Sequence, residues 1–317
     1  MKRFIFKLVV FCLIFFVFDK LFIPLKNYSP ILESDNRLEL LMDGKINKDI
    51  IIIGSSRGAR DIIASQIERE TGQTAYNLSY DASALVFHEF ILRTLVKFNK
   101  APKKILLVID DESEFLFDKP TKFRLDRLYP LVKYSHIQDE LIDRGEKNKY
   151  LSALFVLHQL HRSNFNLRKR KFSPVDTIMA CGSMPLWPHN ESRAWQFKSN
   201  SSPRSENKQD NNKLEALKRF LERCDDYDID LFLVFPPNYK PLNRSCLNTL
   251  QKIVGNRGHL YVYNIRNPIY LDKMYFYDEN HLRYKGAKIF THEISNYLNK
   301  MKREYGKTIE AINSGVR

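Results

Sequence analysis

Apolar residues recur along this chain in short β-branched runs set between amphipathic stretches. Ile50–Ile53 is four isoleucines in a row. Such a run suits a central strand covered on both faces. Thr74–Leu78, Lys104–Ile109, Ile229–Phe235 and His259–Tyr263 repeat the pattern. The stretches between them have a helical period. Arg57–Glu70 follows the first run. Leu85, Phe87, Ile91, Leu92, Leu95 and Phe98 mark a second helix, which Pro102 ends. Leu214, Leu217, Phe220 and Leu221 put one apolar face on Lys213–Tyr227. Cys246–Val254 and Tyr284–Asn299 complete the series. Strands alternating with helices predict an α/β domain: one parallel five-stranded sheet with helices on both faces. Ligands of such sheets bind at the carboxyl ends of the strands, where Ser56, Ser79 and Asp110 should gather.

The amino terminus departs from this rhythm. Lys2 and Arg3 precede an apolar run, Leu8–Phe18. The wider segment Phe4–Ile23 is long enough to span a bilayer if Lys7, Asp19 and Lys20 snorkel. A cleaved signal peptide is the alternative, but no small-x-small site follows. The expectation is an uncleaved anchor over residues 1–24, with the domain outside the cytoplasm, periplasmic or at the cell surface. Residues 25–47 read as a linker with a helical patch at Leu38–Met42, and 48–302 as the α/β domain. Residues 112–210 interrupt that domain. They hold a helical patch at Tyr150–His161, a basic run at Arg168–Lys171, and loops around Pro174, Gly182, Pro185, Trp187 and Pro188. Ser199–Asn212 is polar and reads as a mobile loop. The whole reads as an insertion that roofs the site. The tail, 303–317, is basic and is expected to fray.

Charge narrows the partners. The formal net charge is +14, which suits an anionic surface. With no nucleic-acid motif in view, an envelope surface is preferred: a membrane face, an acidic glycan or a teichoic-type polymer. Solubility alone is the bland alternative. Cys12 lies in the anchor, and Cys181, Cys224 and Cys246 show no metal spacing. One disulfide among those three is allowed but not demanded. His158 and His161 sit three apart without a third ligand, and read as a packed or solvated pair. No metal and no cofactor is expected.

The chemistry gathers at two stretches. Gly54 allows a tight turn after the first strand, and Ser55 and Ser56 follow at its carboxyl end. A serine there is exposed beside free N–H groups of a helix N-terminus. Far downstream, Asp278-Glu279-Asn280-His281 precedes the last helix. A histidine can take the serine proton, and a carboxylate can hold the histidine tautomer. Each stretch alone also has a structural reading, as a serine N-cap and as an aspartate cap of the last helix.

Together, Gly54-Ser55-Ser56 and Asp278-x-x-His281 resemble the SGNH/GDSL hydrolase superfamily. There a nucleophile turn opens the domain and a DxxH pair closes it. The GSS variant and the N-terminal anchor look most like the membrane-anchored branch, which includes DltD-type and AlgJ/AlgX-like proteins. The resemblance implies the three-layer, flavodoxin-like fold. It implies Ser56 as nucleophile, His281 as base and Asp278 as orienting acid. It points to Gly54, Ser56 and Ser79 as oxyanion positions, with Ser79 where glycine is usual. Arg57, Asn77, Asp110 and Asn280 are the candidate substrate-binding residues. Asp110-Asp111-Glu112 stands where the superfamily has an asparagine. The implied function is an acyltransferase or esterase acting on a cell-envelope polysaccharide or acylated polymer, with a multi-pass membrane acyltransferase as a possible partner. The other reading is a non-catalytic module that binds glycan or scaffolds such an acyltransferase.

Overall fold

The structure is a computed structural model, and it describes residues 1–110, 123–169, 177–187, 210–239, 242 and 244–313. Its helices and strands run in the order α1 (Lys2–Lys20), α2 (Ile23–Tyr28), α3 (Arg37–Met42), β1 (Ile50–Ile53), α4 (Ser56–Asp61), α5 (Ala64–Thr71) and β2 (Ala75–Asn77). They continue with α6 (Leu85–Phe98), β3 (Lys104–Val108), α7 (Leu125–Leu128), α8 (Ser135–Asp143), α9 (Lys149–Leu154) and α10 (Val156–Gln159). The last are α11 (Asn211–Asp226), β4 (Asp230–Phe235), α12 (Arg244–Val254), β5 (His259–Val262) and α13 (Tyr284–Asn313). The chain divides into two compact units, residues 1–42 with 124–172, and residues 43–123 with 173–317.

The larger unit is the α/β domain. Its five strands are all parallel, in the order β2-β1-β3-β4-β5. This is a doubly wound order, and its direction of growth reverses between β1 and β3. All four β1 isoleucines are fully buried, as a central strand covered on both faces requires. One apolar layer joins Ile50, Ile52 and Val108 of the sheet to Phe290, Ile294 and Leu298 of α13. Helix α13 packs on α5 and α4. Thr291 of α13 accepts a hydrogen bond from the Ile63 N–H at 3.1 Å.

Three local expectations change. The helix expected over Arg57–Glu70 is two helices, α4 and α5, because Ile62 and Ile63 are extended. Both are β-branched and buried, and the bend gives the Ile62 carbonyl to the side chain of Asn77. The last helix continues to Asn313, past the frayed tail expected from residue 303. Among the described side chains its apolar face reaches the partly buried Met301, and the polar run Lys302-Arg303-Glu304 hid the extension in the sequence. Asn211 and Asn212, expected in a mobile loop, open α11, where the Asp210 side chain accepts the Asn212 N–H. Residues 199–209, together with Asp111, Glu112, Arg170 and Lys171, lie outside the described residues.

The smaller unit replaces the expected linker and much of the expected insertion. Residues 25–42 are largely helical, and they group with 124–172 through buried polar contacts. Within 25–42, Arg37 is 1% exposed and holds Asp35 at 2.7 Å, and Asn164 makes the link across. Asn164 donates to Ser29 at 2.8 Å and to the Tyr129 carbonyl at 2.9 Å. The patch Tyr150–His161 is broken at Phe155, which is extended between α9 and α10. His158 accepts from the Asn148 N–H, and His161 stacks on Tyr129 at 3.9 Å. Residues 177–187 belong instead to the α/β unit: Asn77 donates to the Cys181 carbonyl, and Met184 to that of Ala59. Helix α1, taken with residues to Leu32, is long and apolar enough to cross a membrane.

Candidate active site

The site forms at the carboxyl edge of the sheet, where β1 and β3 part. Gly54 ends β1. A Cβ on it would lie 2.8 Å from the Cβ of Val108 and 3.2 Å from the Val108 carbonyl. Glycine therefore lets the two strand ends approach. Ser55 then turns the chain and Ser56 is the first residue of α4. The first intrahelical bond is from the Ala59 N–H to the Ser55 carbonyl. The Ser56 N–H precedes it and has no acceptor within the helix.

The histidine comes from a tight loop. Phe276 and Leu282 form an antiparallel bridge, and the Tyr277 N–H donates to the His281 carbonyl at 2.8 Å. Asp278 Oδ1 accepts the backbone N–H groups of Asn280 and His281, at 2.8 and 2.9 Å. This Asx turn fixes the loop. The same carboxylate lies 2.8 Å from His281 Nδ1, and His281 Nε2 lies 2.8 Å from Ser56 Oγ. Ser56, His281 and Asp278 thus stand in one continuous hydrogen-bonded line. The His281 and Asp278 side chains are 19% and 29% exposed, so the line opens to solvent.

Electrostatics set the histidine. Burial alone would push the His281 pKa down. The hydrogen bond to Asp278 and the negative charges of Asp61 and Asp278 outweigh it, and the pKa is raised. Burial also pushes Asp278 up, but its bond to His281, the imidazolium charge and the two N–H donors hold it below the usual carboxylate range.

The remaining expected site residues do different work. Arg57 is 3% exposed. Its guanidinium donates to the carbonyls of Asp110, Pro236 and Pro237. It therefore ties together the loops after β1, β3 and β4 and does not face a substrate. An arginine next to Ser56 on the first turn of α4 points away from it, about 100° round. Asn77 is fully buried; its amide donates to the carbonyls of Gly58 and Ile62 and to Ser183 Oγ. It braces the loop and does not bind substrate. Its Oδ1 accepts the Ser79 N–H at 2.9 Å, and Ser79 is fully buried. That N–H is therefore taken, and Ser79 is not an oxyanion donor. Gly54 is also buried, and its carbonyl accepts from the Tyr80 N–H and from Ser83. Asp110 accepts the hydroxyl of Ser55. The Ser55 side chain therefore does not cap α4, and the Asp110 carboxylate holds the turn. Asn280 keeps an exposed side chain on the triad loop.

No family model matches this chain, and no curated protein matches it.

One site residue was not singled out in the sequence. Asp61, the last residue of α4, is fully buried, and its Oδ1 accepts the N–H of Leu282, next to His281, at 2.9 Å. Arg57 Nε stands 3.9 Å from its other oxygen. Burial pushes Asp61 up to about 7, against the opposing charges of His281 and Arg57. The signal available was a carboxylate four residues after Arg57 on an otherwise buried helix face. The folded state therefore holds a proton here that the unfolded chain releases above its pKa near 3.8, so this group costs stability as pH rises from there to about 7. Asp61→Asn should flatten that fall, with its gain in Tm largest above neutrality. It should also shift the acidic limb of any His281-dependent activity to lower pH, because a negative charge that raises His281 is removed. An unchanged limb in the pH–rate profile would separate Asp61 from the base.

A second serine–histidine pair, Ser83 and His88 at 2.9 Å, is closed to solvent. Ser83 already bonds the carbonyls of Gly54 and Tyr80. Burial pushes His88 down to about 3. This pair braces the loop behind Gly54.

Proposed function

We propose that this protein is an anchored SGNH-like serine acyltransferase or esterase acting on an acylated cell-envelope polymer outside the cytoplasm. The observation that carries the reading is the line Ser56 Oγ, His281 Nε2, His281 Nδ1, Asp278, with 2.8 Å at each junction. The net charge of +14 suits an anionic polymer, and α1 supplies the anchor.

The chemistry follows from these atoms. His281 Nε2 takes the Ser56 proton as Oγ attacks the acyl carbonyl. Asp278 stabilises the imidazolium that forms. The Ser56 N–H, unused by the helix, donates to the oxyanion. Collapse of the tetrahedral intermediate breaks the bond to the leaving oxygen, which takes the proton back from His281. The acyl group now rests on Ser56. An acceptor hydroxyl, or water, gives its proton to His281 and attacks, which frees Ser56. A hydroxyl acceptor makes the protein a transferase and water makes it an esterase. A multi-pass membrane acyltransferase is the partner that would deliver or receive the acyl group.

A fluorophosphonate probe tests the nucleophile directly. The full chain in detergent should be labelled at Ser56, located by peptide mass spectrometry. Labelling should vanish in Ser56→Ala and rise with pH through the raised pKa of His281. A folded chain that resists the probe at all pH values would favour the non-catalytic, glycan-binding or scaffolding reading.

A further inference from the structure

The smaller unit exposes apolar side chains that its own fold does not cover. Tyr150 is 77% exposed, Leu151 44% and Leu154 55%. These positions share one face of α9, since i, i+1 and i+4 fall within about 100° of arc. Phe165 and Leu167 are 49% and 62% exposed. They lead directly into the exposed Arg168 and Lys169.

These residues cluster where α1 ends. Asp19, near the end of α1, is fully buried and accepts the N–H groups of Val156 and Leu157, each at 2.8 Å. It caps α10 and does not snorkel. The Phe155 ring meets Phe15 and Phe16 at 5.8 and 6.4 Å. At 1.5 Å per residue, Phe15 lies about 6 Å back along the helix from Asp19. Phe165 meets Phe22, just past α1, at 6.0 Å. Lys20 reaches the Leu154 carbonyl, and Lys26 the side chain of Gln159. Side chains of 150–167 are therefore fastened to the same few turns of helix that would leave the hydrocarbon.

We propose that α9 and the 165–169 segment form a membrane-seated collar around the exit of α1. Tyr150, Leu151, Leu154, Phe165 and Leu167 enter the boundary between headgroups and acyl chains. Arg168 and Lys169 meet anionic headgroups. An aromatic and basic belt at this depth is the usual environment of such side chains, and interfacial segments bury their apolar face to this extent. The occupant is lipid because the exposed surface continues the surface of α1. The inference rests on the reading that α1 spans the bilayer, and it holds whichever side the unit lies on.

The test places a benzophenone amino acid at Leu154, Phe165, Ile14 or Asp139 of the full chain. Each variant is reconstituted in nanodiscs of phosphatidylethanolamine and phosphatidylglycerol, irradiated, and read by intact-mass and peptide mass spectrometry. Ile14 reports on the span. Asp139 is exposed on α8 and serves as the aqueous control. Leu154 and Phe165 should yield at least about fivefold more lipid adduct than Asp139, since an interfacial side chain sits some 5–10 Å into the acyl boundary. Adducts at Ile14 with none above control at 154 and 165 would overturn the collar and leave the anchor standing. No adduct at Ile14 would overturn the span and the collar together. Adducts at 154 or 165 to a second copy of the chain would replace lipid by self-association.

Discussion

Ser56→Ala and His281→Ala should each lower acyl transfer by a factor on the order of a thousand or more. The measurement is single-turnover transfer from an activated acyl ester to an acceptor alcohol, on folded protein. The hydroxyl is a poor nucleophile unless the imidazole 2.8 Å away takes its proton. The base is useless without a hydroxyl to deprotonate. The double variant should therefore cost little more than either alone, because the two residues act as one unit. Asp278→Ala should cost less in chemistry but more in order, since the same carboxylate caps two N–H groups of the loop. An active Ser56→Ala protein would end the catalytic reading, whatever the geometry.

Arg57→Met should be the most damaging of the conservative changes to stability, by about 3–5 kcal/mol. It strips donors from the carbonyls of Asp110, Pro236 and Pro237, and leaves Asp61 without its facing charge. Thermal or denaturant unfolding of the detergent-solubilised chain reads the loss. Arg57→Lys should recover only part of it, because one ammonium cannot reproduce a planar fork that reaches several acceptors. If Arg57→Met unfolds like the parent and fails only on anionic substrates, Arg57 belongs to substrate recognition after all.

The contrast between these two predictions shows what sequence could and could not carry. Strands were legible because their burial is written in consecutive apolar residues, as in Ile50–Ile53. The pairing of Ser56 with Asp278 and His281 was legible because each sits at the end of a readable element, and parallel topology brings such ends together. The duties of Arg57, Asn77 and Ser79 were not. Each lies within three residues of a functional-looking position, and which way a side chain points depends on partners far off in sequence. Asn77 is spent on carbonyls of the α4 region, and Arg57 on loops about 53 and 180 residues away. The break at Ile62–Ile63 was hidden for a related reason: two isoleucines satisfy a helical period and an extended link equally well. The helical turns at 23–32 were missed because Pro24 and Pro30 cut them too short to show periodicity, whereas the patch at Leu38–Met42 was legible and forms α3.

The separation of the triad in the chain has a consequence for biosynthesis. His281 and Asp278 are three residues apart and organise each other through a local turn, while Ser56 stands 225 residues before His281. A ribosome delivers Ser56 early, before the histidine proposed as its base has been made. The base arrives with the closing loop, just ahead of α13, whose packing on α4 and α5 brings the two together. Until then the nascent or truncated chain carries Ser56 with no imidazole beside it, and under the proposed function that serine is inert. Under the proposed function, reactivity in such a layout would be a certificate of completed synthesis, issued only when the opening turn and the closing loop have met.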